Sequence, residues 1–343
     1  MTIYRDSKRI VGTNADRVGT PAVTGGWKEL GRTTLGSATS TMSVSSLPDK
    51  RYYQVLLDMT QTIDSNYKLR LNNDTGSNYA FRFSNAGGSD NTSTSQTSID
   101  LRSRTANEPT FWNGYIANLD SKEKLSTFLG TMQGSAGAGT EPSRTEQVGK
   151  WANTSDSINQ IGVTSGSGNL ASGSEVVVLG YDSDDTHTDN FWEELDDSSW
   201  SSGSSWTSGT FTAKKYLWVQ FYTEGGAGSS YFRFNGDSGN NYSNRYSING
   251  GSDSTIASQP ESYLGAIDGL SFHNLFIINN ASNEKLFTHQ RVSRSSAGAG
   301  TAPTRNEGAG KWSNTSNQIT SITVTTAGGG NLTAGNMKVW GSN

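Results

Sequence analysis

Gly134-Ser-Ala-Gly-Ala-Gly-Thr-Glu-Pro-Ser-Arg144 returns about 161 residues later as Ser295-Ser-Ala-Gly-Ala-Gly-Thr-Ala-Pro-Thr-Arg305. Each copy runs on to Gly-Lys-Trp, ending at Trp151 and Trp312, and then to Asn-Thr-Ser at 153–155 and 314–316. An alternating segment follows, Ile158, Ile161 and Val163 in the first copy and Ile319, Ile322 and Val324 in the second. Gly-Asn-Leu comes next, and a closing segment ends at Gly180 or Gly341. Matches in one order at a nearly constant offset are the signature of an internal duplication.

The correspondence extends upstream. Trp27-Lys-Glu-Leu30 answers Trp192-Glu-Glu-Leu195. Leu69-Arg-Leu-Asn-Asn-Asp-Thr-Gly-Ser-Asn-Tyr79 answers Phe232-Arg-Phe-Asn-Gly-Asp-Ser-Gly-Asn-Asn-Tyr242, and the segments ending Glu-Lys-Leu125 and Glu-Lys-Leu286 also match. This predicts a first module over 27–181, an acidic linker over 182–191 and a second module over 192–343. Residues 1–26 form an N-terminal arm without a counterpart. The copies agree most closely from Ser135 to Gly180 and from Ser296 to Gly341. Any difference in role is expected in 80–110 and 243–275.

Within a module the apolar period is two, as strands require. Tyr52-Tyr-Gln-Val-Leu-Leu-Asp-Met59, Tyr216-Leu-Trp-Val-Gln-Phe-Tyr222, Phe276-Ile-Ile278 and Val176-Val-Val-Leu179 read as buried strands. Clusters such as Asn85-Ala-Gly-Gly88 separate them. About eight short strands per module predict an all-β chain of two tandem jelly-roll-like β-sandwich domains. Of 343 residues only 32% are hydrophobic, but 9 Trp, 13 Tyr and 12 Phe supply large buried areas at few positions.

The net charge is −4 and no basic run of the kind that binds nucleic acid is present. Cysteine is absent, which removes disulfides, thiolate metal sites and a Cys nucleophile. No segment approaches the 18 or so apolar residues of a spanning helix, and residues 1–10 lack the apolar run of a secretory leader. Neither nucleic acid nor membrane is an expected partner.

The closing pattern of each copy resembles the C-terminal strands of jelly-roll modules in tailed-phage and marine virus structural proteins. It consists of the Trp, a Ser/Thr/Asn spacer, Ile-x-x-Ile-x-Val, Gly-Asn-Leu, and Leu170-Ala-Ser-Gly-Ser-Glu-Val-Val-Val-Leu-Gly180 or Leu332-Thr-Ala-Gly-Asn-Met-Lys-Val-Trp-Gly341. Lys8-Arg-Ile-Val-Gly12 is similar to the N-termini of such virion proteins. The resemblance implies a non-enzymatic virion component, either capsid decoration or cement, or part of a tail or fibre. It implies other virion proteins (major capsid or tail) as partners, homo-oligomerisation, synthesis in the host cytoplasm and residence in the virion. It carries no catalytic residues; Trp151, Trp312, Gly180 and Gly341 are the structural markers of the repeat. A double jelly-roll major capsid protein is an alternative, less expected because its two rolls usually diverge.

Asp74-Thr-Gly76 and Asp237-Ser-Gly239 stand once per half, as in pepsin-like aspartic proteases, where two carboxylates share a proton. The preceding Asn72-Asn73 and Asn235-Gly236 favour an exposed hairpin turn instead. Gly236-Asp-Ser-Gly239 lacks the rest of a serine-protease loop, and the three histidines (His187, His273, His289) fall only in the linker and second copy. No cofactor is expected. Asp74, Asp237, Asp182 and Asp184 are the candidate Ca²⁺ ligands, although the linker lacks the Gly and Glu of an EF-hand loop. Trp200 and Trp206 are the candidate glycan or partner contacts of a carbohydrate-binding, receptor-binding alternative.

Overall fold

The computed structural model describes residues 26–343 apart from 103, 104, 226, 227, 268, 295 and 329, together with the backbone of 3–5 and 8–11. The rest of the arm lies outside the described residues. Every regular element among the described residues is a strand. The arm holds β1 (Ile3–Arg5) and β2 (Lys8–Val11), an antiparallel pair.

The first module comprises β3 (Lys28–Thr34), β4 (Thr41–Ser45), β5 (Tyr52–Met59), β6 (Tyr67–Leu71), β7 (Tyr79–Asn85), β8 (Asn91–Gln96), β9 (Ile99–Leu101), β10 (Thr110–Ala117), β11 (Lys124–Met132), β12 (Ser143–Trp151), β13 (Gln160–Ser165) and β14 (Glu175–Tyr181). The second repeats them as β15 (Glu193–Trp200), β16 (Ser205–Thr207), β17 (Tyr216–Gly225), β18 (Ser229–Phe234), β19 (Tyr242–Ile248), β20 (Ser254–Gln259), β21 (Ser262–Ala266), β22 (Gly269–Ile278), β23 (Lys285–Ser293), β24 (Thr304–Trp312), β25 (Ile322–Ala327) and β26 (Leu332–Ser342).

Each module is a sandwich of an eight-stranded and a four-stranded antiparallel sheet. The orders are β3-β14-β5-β10-β11-β12-β7-β8 over β4-β13-β6-β9, and β15-β26-β17-β22-β23-β24-β19-β20 over β16-β25-β18-β21. The two topologies are identical, strand for strand. Among the described residues each module therefore has twelve strands rather than about eight. The additional ones are short and polar, such as Asn91–Gln96, and carry no apolar alternation to reveal them.

Alternate residues of each large sheet fill the sandwich. In β5 these are Tyr53, Val55, Leu57 and Met59, which pack with Leu69, Trp112, Phe128 and Ile161. Leu217, Val219 and Phe221 of β17 do the same in the second module. Gly130 sits under the Trp112 ring, where a Cβ would come within 2.5 Å of it, so this strand glycine makes room for an indole.

The intervening residues point outward, and here the modules meet. Leu56, Phe111, Val177 and Leu179 of the first module form one buried cluster with Phe191 at the end of the linker and with Tyr216, Phe276, Ile278 and Leu286 of the second. The outer faces of the two large sheets are thus packed together. Asp182–Asp189 does not hang free between them: Lys50 pairs with Asp185, Lys28 with Asp189 at 2.9 Å, and His187 Nε2 lies 3.0 Å from the Gly26 carbonyl oxygen.

Candidate functional site

The repeated Asp-x-Gly segments are turns, and each clamps a tryptophan. Asn72 and Asn73 have φ of 53° and 54°, and Asn235 and Gly236 have 52° and 67°, the left-handed values that Asn and Gly tolerate. Asp74 Oδ1 accepts from the Gly76 amide at 2.7 Å; its Oδ2 accepts from Asn78 Nδ2 at 2.8 Å and from Trp151 Nε1 at 2.7 Å. Asp237 repeats this with Gly239 at 2.8 Å, Asn241 at 2.9 Å and Trp312 at 2.7 Å. Both indoles are buried. Burial pushes each carboxyl up, but the three donors outweigh it and hold it below the ordinary value of 3.8. Both oxygens of each carboxylate are engaged by these local donors, the arrangement of a structural clamp.

Gly180 and Gly341, the other repeat markers, lie beneath Leu30 and Leu195, whose Cδ1 atoms a Cβ would meet at 2.5 and 2.7 Å. Asp182 and Asp184 border a surface hollow with Asp49, Arg51, Asp120 and Lys122. Among the described residues no three His, Cys, Asp or Glu side chains converge as a metal site would require.

Trp200 and Trp206 stack at 5.3 Å between centroids and pack against the second module's core. Gly335 lies against Trp200 and Gly203 against Trp206. Trp206→Ala is expected to cost about 2 kcal/mol, half the usual cost of removing a core tryptophan because the ring is partly exposed. Denaturant unfolding reads this. An unchanged midpoint with lost retention on a glycan column would instead make the pair a sugar platform.

Sequence reading missed three features. The first is the polar lock at the module junction. Glu175 accepts from Thr34 Oγ1, Tyr216 Oη at 2.7 Å and Lys215 Nζ at 3.1 Å, and Lys215 also pairs with Asp58 at 3.1 Å. Burial raises the Asp58 carboxyl; the donors around Glu175 outweigh its burial and lower it. The second is the loop Gly134–Pro142, which grips the second module. Lys311 Nζ donates to the Gln133 and Ser135 carbonyls at 3.0 and 2.6 Å, and the Gly137 amide donates to Glu284 at 2.5 Å. The Ser258 amide donates to the Ala138 carbonyl at 2.8 Å, and Arg245 Nε donates to the Pro142 carbonyl at 2.9 Å.

The third is polar substitution inside the second sandwich. Trp112 and Phe128 correspond in strand position to His273 and His289. His273 Nδ1 lies 3.2 Å from His289 Nε2, both rings are buried, and Phe221 stacks on His273. Burial, then Arg291, lowers His289 to about 3, and burial with His289 lowers His273, so the pair is neutral at pH 7. Ser238 lies on the exposed Asp237 turn, so these histidines form no triad with it.

No protein-family model and no curated protein matches the chain. Among solved structures, it is similar to the mouse laminin alpha1 chain domains LG4-5 at 10% identity, covering 94% of this chain and 92% of that one, with a TM-score of 0.19. It is similar to Ail, the attachment invasion locus protein of Yersinia pestis, at 6% identity, covering 76% and 97%, with a TM-score of 0.14. Likenesses this distant carry no argument.

Proposed function

We propose that this chain is a non-enzymatic structural component of a virus particle, a capsid-decoration or tail protein built to dock. The observation that carries this reading is how the second module is held. Outer sheet faces and the Gly134–Pro142 loop serve as docking surfaces, and the buried cluster and polar lock make one body of two sandwiches. The repeated Asp-x-Gly carboxylates are engaged in holding tryptophans, which leaves the residues with the most catalytic look in structural work. The resemblance of the closing strands to virion modules supports the same reading.

Mass spectrometry of density-purified particles from an infected culture that yields this sequence tests it. The chain is expected among the stoichiometric particle proteins. Recovery only in the soluble lysate contradicts the reading.

A further inference from the structure

The two modules are not used alike. In strand register, Tyr216, Ile278 and Leu286 form a row across β17, β22 and β23, and the equivalent row of the first module is Tyr52, Ala117 and Leu125. The first module covers its partner's row, leaving Tyr216 0% and Leu286 1% exposed, whereas Tyr52 is 41% and Leu125 57% exposed. At the other end of the face, Phe111 is buried at 1% against the second module, and its counterpart Phe272 is 44% exposed beside Val292. Each module therefore leaves bare the half-face that its twin buries.

The polar contacts repeat with the same asymmetry. Five residues of the second module receive the Gly134–Pro142 loop: Ser243, Ser258, Glu284, Lys311 and Arg245. Four of the five keep their residue type in the first module, as Ser95, Glu123, Lys150 and Arg82, while Ser243 corresponds to Ala80. Ser95 and Ser258 even share a positive φ, 52° and 51°. Glu123 and Lys150 pair at 2.9 Å on the surface with no loop seated on them. The loop has its twin in Ser296-Ala-Gly-Ala-Gly-Thr301, and Ala299 is exposed where Ala138 is buried. This loop is among the segments on which the two copies agree best, although a surface loop is free to diverge.

We infer that copies of this chain join head to tail by repeating the contact that joins their own modules. The 296–303 loop, Phe272 and Val292 of one copy seat on Glu123, Lys150, Tyr52 and Leu125 of the next. The bare half-face is continuous with the established junction, since Trp27 and Tyr115 already pack against its buried cluster. Such a contact is heterologous, so it closes into a ring if the rotation permits and otherwise runs on as a filament. The inference stands on the internal repeat and is independent of particle membership.

Sedimentation of the full chain across a concentration series tests it, with Leu125→Arg and Ala299→Arg as variants. Both positions are exposed, so folding is preserved, and circular dichroism checks this. The wild type is expected to rise above its 36.7 kDa monomer mass with concentration. Each variant alone is expected to lose that rise. Mixed, the two retain one intact donor and one intact acceptor and are expected to form a capped dimer of twice the monomer mass. A wild type that stays monomeric at every concentration, including one that captures a glycan on Tyr52 and Leu125 instead, overturns the inference. So does Ala299→Arg assembling like the wild type, or a mixture that remains monomeric.

Discussion

Trp151→Ala is expected to lower the stability of the first module by about 4 kcal/mol, and Asp74→Ala, which keeps the indole, by about 2 kcal/mol. The indole is fully buried between the sheets and stacks on Tyr79 at 6.4 Å, so its loss opens a cavity the antiparallel frame cannot close. Removing Asp74 deletes a charge-assisted acceptor shared by Trp151, Asn78 and Gly76 and leaves the indole nitrogen without that partner. Trp312→Ala and Asp237→Ala are expected to repeat the pattern in the second module. Denaturant midpoints measure all four, and an Asp74→Ala midpoint equal to the wild type contradicts the clamp. The clamp also sets a pH dependence. Folded-state values held below 3.8 mean that the stabilisation is complete above 3.8 and disappears as pH falls through the depressed folded values. Asp74→Asn with Asp237→Asn is therefore expected to flatten the loss of stability on acidification.

Glu175→Ala is expected to weaken the junction by about 3 kcal/mol, near the lower end for breaking a buried pair, because Lys215 retains Asp58 and some access to water. Thr34, Tyr216 and Lys215 lose their common acceptor at once. The two modules should then unfold at different denaturant concentrations, read by near-ultraviolet circular dichroism. Glu175→Gln, which keeps an amide oxygen for Thr34 and Tyr216 to donate to and leaves Lys215 paired with Asp58, is expected to lose less than Glu175→Ala. A single unshifted transition in Glu175→Ala contradicts the role given to this lock.

The duplication was legible because strand and turn residues recur in register, and the Asn-rich turns before Asp74 and Asp237 were legible because few residues tolerate positive φ. The polar strands Asn91–Gln96 and Ser254–Gln259 were not legible, being edge strands that pack almost nothing apolar. Docking between modules left a signal that period-two reading passes over. Tyr52–Met59 is apolar at nearly every position rather than at alternate ones, as a strand buried on both faces must be. The Asp–Trp clamp was also present in sequence, as an Asp-x-Gly and a Gly-Lys-Trp that occur together in both copies. What no local pattern reveals is which half of each outer face is covered. That depends on how two sheets meet in space, and the repeat alone shows only that the halves are equivalent.

Calorimetric unfolding of the full chain beside Leu56→Arg bears most directly on the claim that the outer sheet faces fuse the two sandwiches into one body. Leu56 is completely buried in the junction and points away from its own module's core. The wild type is predicted to melt in one transition whose calorimetric and van't Hoff enthalpies agree, and Leu56→Arg to split it into two, one per module. Two separate wild-type transitions that Leu56→Arg leaves in place would contradict it.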